Sequence, residues 1–177
     1  MNTIKDLLRP KTKEEIYSIV STSSEKEIIE LLINSCFHND EFFVTFLLEH
    51  YPTLTNSFDR SGNTPLITIC IGGYINLFNI LIKHNVDINL NSIDHCSPLE
   101  VLLWNNHYEF AKILIELGCN CDTNGRFGSP LYLLQPNTTV HYKKQKCNEL
   151  IYLINNKIKW EIKKDVGLNP TSLEHLF

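Results

Sequence analysis

The amino-acid sequence predicts an all-α fold, a solenoid of about four stacked helix–turn–helix units of which the first and last are degenerate. The first observation is a repeated dipeptide: Pro65-Leu66 returns as Pro98-Leu99 and as Pro130-Leu131, at intervals of 33 and 32 residues. The second is that an apolar triplet also returns in register, because Ile80-Leu81-Ile82 corresponds to Ile113-Leu114-Ile115. A fixed period of this length is typical of units that bury their apolar faces by stacking on their neighbours.

Residues 1–24 are predicted to form an N-terminal capping helix. Ile16 and Val20 are at helical spacing and a polar run follows them, which suits a terminal element that needs a polar outer face. Ser24, with Glu27 three residues later, resembles a capping box. The next helix is therefore expected to begin immediately after Ser24.

The second unit, residues 58–91, shows why the repeated pattern is helical. Thr64 can cap a helix by accepting an amide hydrogen bond, and Pro65 suits the first helical position, where its missing N–H has no cost. Gly72-Gly73 ends this short helix, since glycine readily adopts a left-handed conformation. A second helix then follows with Leu81 on its inner face.

The other units are placed by the same pattern. The first lacks the Pro-Leu signature, and the fourth departs from the pattern at Pro136, which ends its first helix early. The predicted organisation is a repeat domain at 25–158, divided approximately into 25–57, 58–91, 92–122 and 123–158, followed by a C-terminal tail at 159–177.

Composition sets bounds on function. A chain of 177 residues with 43% hydrophobic residues fits one domain, and a formal net charge of −4 gives no general attraction to nucleic acid. Six cysteines without regular spacing suit a reducing compartment, so we expect a cytoplasmic protein, with the nucleus as the alternative. We see no secretion signal and no apolar stretch long enough to span a membrane. A monomer is expected.

The repeat resembles the ankyrin family over roughly residues 25–158. The family pattern Thr-Pro-Leu-His is matched by Thr64-Pro65-Leu66, while its fourth place holds Ile67, Glu100 and Tyr132 in the three copies. The resemblance implies a recognition scaffold that binds a protein partner on its concave face, through the turn tips and the ends of the first helices. On this sequence those positions are Arg60, Ser61, Asn63, Ile71, Ile93, Asp94, Cys96, Trp104, Asn105, Arg126 and Phe127.

Trp104 and Arg126 are the preferred anchors, because tryptophan and arginine dominate the hot spots of protein interfaces. The alternative for Trp104 is that its ring packs against a neighbouring helix. Ile93 supports an interface as well, since an apolar side chain on a turn tip is otherwise unfavourable in water.

The C-terminal tail resembles the beginning of a SOCS box. In proteins with ankyrin repeats and a SOCS box, a Pro-x-Ser-Leu-x-x-Leu-Cys run follows the repeats and opens the helix that docks into elongin C. Pro170, Ser172, Leu173 and Leu176 match that run, and Phe177 stands at the cysteine position. The resemblance implies a substrate-recognition subunit of an elongin–cullin ubiquitin ligase, with elongin B/C and a cullin as partners. The alternative is a capping segment, in which Leu173 and Leu176 cover the last repeat.

Chemistry carried by the chain itself is not indicated. Cys119 and Cys121 replace the apolar positions Val86 and Ile88, so core packing explains them better than zinc does. His95 has no second acid or base at helical spacing. We therefore predict neither catalysis, metal nor cofactor, and two hypotheses remain open: an adaptor that delivers a partner to a ubiquitin ligase, and a stand-alone scaffold or inhibitor.

Overall fold

The fold is described by a computed structural model for residues 12–135 and 141–165. These ranges contain nine α-helices, one 3-10 turn and no strand, which confirms the all-α prediction. The chain separates into two compact units, Met1–Ile93 and Asp94–Phe177. The first part of the predicted capping element and the whole of residues 166–177 lie outside the described ranges. The proposed division into repeats remains a prediction.

In the described part of the first compact unit, residues 12–93, there are five α-helices and the 3-10 turn. In order they are α1 (Lys13–Val20), α2 (Glu25–Phe37), α3 (Glu41–His50), the 3-10 turn (Pro52–Asn56), α4 (Pro65–Gly72) and α5 (Ile75–Lys83). Helix α2 packs against α3 and α4, and α3 packs against α5. Each first helix of a pair is thus next to the first helix of the following pair, which is how a repeat covers the apolar side of its neighbour.

Local chemistry at the helix ends explains where these helices begin. The Ser24 N–H donates to Glu27 Oε2 at 2.8 Å while Ser24 Oγ accepts from the Glu27 N–H, so the predicted capping box is confirmed. Thr64 Oγ1 accepts from the Ile67 N–H at 3.1 Å, and Pro65 takes the first position of α4. Gly73 ends α4 with a φ of 71°, the left-handed conformation expected of glycine there.

Helix α1 is attached to α3 by an aromatic contact. The Tyr17 ring meets the Phe46 ring edge-on at 4.9 Å, and its hydroxyl is hydrogen-bonded to Nε2 of His50. Ile16 is fully buried and Val20 nearly so. Residues 12–24 therefore cover the apolar side of the first helical pair.

In the second compact unit, the residues that the structure describes form four α-helices: α6 (Pro98–Trp104), α7 (Tyr108–Glu116), α8 (Pro130–Leu133) and α9 (His141–Asp165). Helix α6 packs against α7 and α8, and α7 packs against α9. An ion pair between Lys112 and Glu149, 2.5 Å apart, joins α7 to α9 on the solvent side. A second pair, Lys146 with Glu109, joins the same two helices.

The six cysteines are all buried. Cys119 and Cys121 are 1% and 2% exposed, in agreement with their prediction as core residues. Burial raises the pKa of the Cys36 and Cys70 thiols well above the ordinary range. These side chains act as small apolar groups.

Candidate protein-interaction surfaces

In the first compact unit, the turn tip that precedes α4 carries three of the predicted partner-binding residues. Arg60 and Ser61 are exposed and Asn63 is half-buried. Asp59 Oδ1 accepts from the N–H groups of Ser61 and Asn63, at 2.9 and 2.8 Å, and this fixes the turn. Glu30 Oε1 on α2 accepts from the Arg60 N–H at 3.0 Å and lies 3.5 Å from its Nε. The tip is therefore ordered by groups on both sides of it.

Two predicted apolar positions of the same unit are open to solvent. Ile71, in the last turn of α4, is 43% exposed, and Ile93 is 65% exposed. The Ile93 N–H donates to the Gly62 carbonyl oxygen at 2.9 Å. A Cβ on Gly62 would lie 2.5 Å from the Cβ of Ile93, so this approach requires glycine, which also has a φ of 78° here.

In the second compact unit, Trp104 is both exposed and held in place. It ends α6 with 57% of its surface accessible, and its indole stacks on the Phe127 ring at a centroid distance of 4.7 Å and an interplanar angle of 16°. One face of the ring therefore packs against Phe127 within the chain, while more than half of the residue's surface stays accessible, and its role at an interface stays a prediction.

A charged pair adjoins this stack in the chain. Arg126, next to Phe127, places a guanidinium nitrogen 2.8 Å from Asp94 Oδ2. Both side chains are largely exposed, so the pair itself adds little stability. We call Asp94, Trp104, Arg126 and Phe127 the Trp104 surface.

The side chains of two predicted site residues contact the backbone of the chain itself. Cys96 is only 7% exposed, so its assignment to a partner-binding surface is wrong; its thiol is 3.8 Å from the Asp94 carbonyl oxygen, inside the turn. Asn105 is half-buried, and its side-chain amide donates to the Val101 carbonyl oxygen at 2.8 Å, closing the end of α6. The repeat register placed Cys96 on a turn tip and Asn105 at the end of a first helix, but it did not give the direction of their side chains.

A cleft of about 340 Å³ borders Trp104. Tyr108 and Tyr132 contribute its other aromatic walls, and Tyr132 is 64% exposed. Burial, together with the nearby Cys147 thiol, raises the pKa of Tyr108 to about 12. The Tyr108 hydroxyl stays protonated and donates to Asn106 Oδ1 at 2.7 Å.

Several exposed aromatic residues were not among the predicted site residues, and Phe37 and Tyr132 are two of them. Phe37 ends α2 with 57% exposure. Ile71 follows it by 34 residues and Trp104 follows Ile71 by 33, so the repeat period was the signal for Phe37. Tyr132 stands at the histidine place of the family pattern, which gave no indication of an exposed side chain.

Within residues 12–135 and 141–165, no three side chains of histidine, cysteine, aspartate or glutamate are placed to hold a metal ion. None of the helices in the same ranges is both long and apolar enough to cross a membrane. The proposed elongin-binding residues Pro170, Ser172, Leu173 and Leu176 lie outside the part of the chain that the structure describes.

Comparison with known proteins supports the presence of repeated helical pairs. The family model described as ankyrin repeats, in three copies, matches residues 32–125. The chain is 38% identical over 79 residues to the ankyrin repeat protein OPG189 of Variola virus, a match that covers 42% of this chain and 14% of that protein. The Monkeypox virus protein of the same name is 37% identical over 76 residues, which is 40% of this chain and 13% of that protein.

The matched relatives are much longer than this chain, since it covers about one seventh of their length. The family model, in contrast, matches more than half of the chain, and the predicted Pro-Leu copies at 65 and 98 fall inside the match. Ankyrin repeats are interaction domains, typically non-enzymatic, that bind protein partners. The chain belongs to the ankyrin-repeat family.

Proposed function

We propose that this chain binds a protein partner through the turn tips and first-helix ends of its repeats, with the Trp104 surface as the main anchor. The observation that carries the proposal is the Trp104–Phe127 stack. An exposed indole presents a large apolar area, and the stack limits its motion before a partner arrives. A side chain fixed in advance loses less entropy on binding, which favours a hot spot at this position.

The remaining proposed contacts belong to each compact unit separately. The proposed surface in the first unit consists of Arg60, Ser61, Asn63, Ile71 and Ile93. In the second unit, Asn105 accompanies the Trp104 surface. Arg126 supplies specificity, because only one of its five N–H donors is used by Asp94 in the observed hydrogen bond, and a partner carboxylate or carbonyl can accept others.

Affinity purification of the full chain tests this proposal. Wild type, Trp104→Ala and Tyr152→Ala are compared, since Tyr152 on α9 is an aromatic residue of similar exposure, at 67%. We expect a partner that wild type and Tyr152→Ala retain and that Trp104→Ala loses, with the far-UV circular dichroism of all three unchanged. Equal retention by the two variants would remove Trp104 from the interface, and loss of helicity in Trp104→Ala would make it a structural residue.

We also propose a finer role, in which the chain is a substrate-recognition subunit of an elongin–cullin ubiquitin ligase. The support is the tail motif, where Pro170, Ser172, Leu173 and Leu176 follow ankyrin repeats in the order found in the SOCS-box family. In that role Ser172 caps the docking helix and Leu173 fills an apolar groove of the adaptor. The alternative is a stand-alone scaffold or inhibitor without ubiquitin-ligase activity.

Pull-down with purified elongin B/C separates the two roles. Leu173→Asp is compared with Thr171→Asp, which adds the same charge at an unconstrained position of the motif. The ligase role requires that wild type and Thr171→Asp bind and that Leu173→Asp does not. If wild type fails to bind, or if both variants bind equally, the stand-alone role is the correct one, and the Trp104 surface is unaffected by that result.

A further inference from the structure

We propose that Glu100 is a positioning residue, which holds the last turn tip so that Arg126 and Phe127 reach their partners in the Trp104 surface. The effect on partner binding rests on the function proposed above; the geometric role does not. Glu100 stands where the family pattern has histidine and is fully buried, at 0% exposure.

The carboxylate of Glu100 joins two backbone segments. Its Oε1 accepts from the Gly125 N–H at 2.7 Å, and its Oε2 accepts from the Ser97 N–H at 3.2 Å. Ser97 is the residue that caps α6. Oε2 of Glu100 is therefore bonded to the start of this helix, and Oε1 is bonded to a turn 25 residues after Glu100. A carboxylate has acceptors only, which matches two N–H donors.

The anchored turn is short enough to transmit this constraint. The Gly128 N–H donates to the Gly125 carbonyl oxygen at 3.1 Å, so Arg126 and Phe127 are the two central residues of a tight turn. When Gly125 is fixed, the backbone positions of Arg126 and Phe127 are fixed as well. Phe127 can then stack on Trp104, and Arg126 can meet Asp94.

There is no space for a side chain at Gly125. A Cβ there would lie 2.2 Å from the His95 carbonyl oxygen and 2.3 Å from Glu100 Oε2, both well inside van der Waals contact. The turn is therefore packed between the backbone at His95 and the carboxylate of Glu100 on α6. Because a part-buried N–H that loses its acceptor is unfavourable, loss of the Glu100 contact should loosen the turn.

Glutamine at position 100 tests this geometry with almost no change of volume. Its amide has one oxygen and one NH₂ group, so one of the two backbone N–H groups would face a donor instead of an acceptor. The matched control is Glu30→Gln, since Glu30 also accepts from a turn-tip N–H, that of Arg60, but in the other compact unit and with 30% of its side chain exposed.

The experiment measures amide hydrogen exchange and the ¹H–¹⁵N spectrum of the full chain. In Glu100→Gln we expect exchange of the Gly125 amide or of the Ser97 amide, whichever then faces the NH₂ group, to become faster by roughly tenfold or more, together with a shifted indole N–H signal of Trp104. The Leu114 amide in the core of α7 should keep its rate, and Glu30→Gln should change neither of these two amides nor the indole. Unchanged rates at both Gly125 and Ser97, an unmoved indole signal, or an equal acceleration at Leu114 would overturn the proposal.

Partner binding then tests the functional part. Phe127→Ala, Glu100→Gln and the double variant are compared for retention of the protein captured by wild type. Because Glu100 acts partly through Phe127 and partly through Arg126, the double variant should lose less affinity than the sum of the two single losses. Fully additive losses would overturn the positioning role, whereas no loss in Phe127→Ala would refute the proposed function and leave the exchange result to decide the geometry.

Discussion

Replacing Leu81 with alanine tests the assignment of the inner face of the repeat. Leu81 lies on α5 and is fully buried, as is Leu114 at the corresponding place on α7. The substitution removes about three carbon groups, and the burial of each contributes about 0.8 kcal/mol to the free energy of unfolding. The cavity that is left lowers this free energy further. We expect the free energy of unfolding to fall by about 3–4 kcal/mol.

The neighbouring residue provides a matched control. Ile82 follows Leu81 on the same helix and is 41% exposed, so Ile82→Ala should lower the free energy of unfolding by less than about 1 kcal/mol. For a chain of this size, each kcal/mol moves Tm by about 2–4 °C. Thermal unfolding followed by circular dichroism should place Leu81→Ala at least about 6 °C below wild type. Equal Tm values for the two variants would refute the burial pattern on which the repeat depends.

Three further predictions address the turn tips, the thiols and the cleft. Gly62→Ala should destabilise the chain by at least about 1 kcal/mol in urea unfolding, because alanine is strained at a φ of 78° and its methyl would collide with the Cβ of Ile93. Gly62→Ala/Ile93→Gly, which removes that Cβ, should still be less stable than Ile93→Gly alone, and equal stability of those two variants would mean that φ adds nothing. Cys36 and Cys70 should react with a thiol reagent far more slowly in the folded chain than in urea. The reason is that burial raises the pKa of both thiols and so reduces the fraction present as thiolate. Equal reaction rates in the folded chain and in urea would contradict their burial. Tyr108, whose pKa is raised to about 12 from 10.0, should ionise above the ordinary tyrosine range in an ultraviolet pH titration, and its contribution to stability should be lost as pH rises from about 10 to 12. Tyr108→Phe should remove that high-pH step, and a titration unchanged by the substitution would refute the assignment.

The helix ends could be predicted because they depend on residues close together in the chain. Ser24 with Glu27, and Thr64 with Pro65, determine their helix starts through contacts within one turn. Gly73 is likewise placed by its own conformational freedom. The repeat period and the local capping residues were therefore sufficient to predict the helical pairs.

The finer features of the site required the three-dimensional structure. The register placed Cys96 on a turn tip, but only the folded turn shows that its thiol points inward. The Glu100 contact with Gly125 spans 25 residues and depends on how a tight turn meets a helix start, which no local pattern encodes. Phe37 was missed because the first repeat lacks the Pro-Leu signature that marks the beginning of a first helix in the others, from which the position of its end is counted.

The brevity of α8 has a consequence for the order of assembly. A helix of four residues, Pro130–Leu133, cannot form alone in water, because nucleation is not repaid over so short a span. It becomes helical only once α6 offers it a surface, whereas the 25-residue α9 can hold some helicity by itself. The last repeat should thus fold late and open early. Because the Arg126–Phe127 turn lies shortly before α8, it would be released when the last repeat opens.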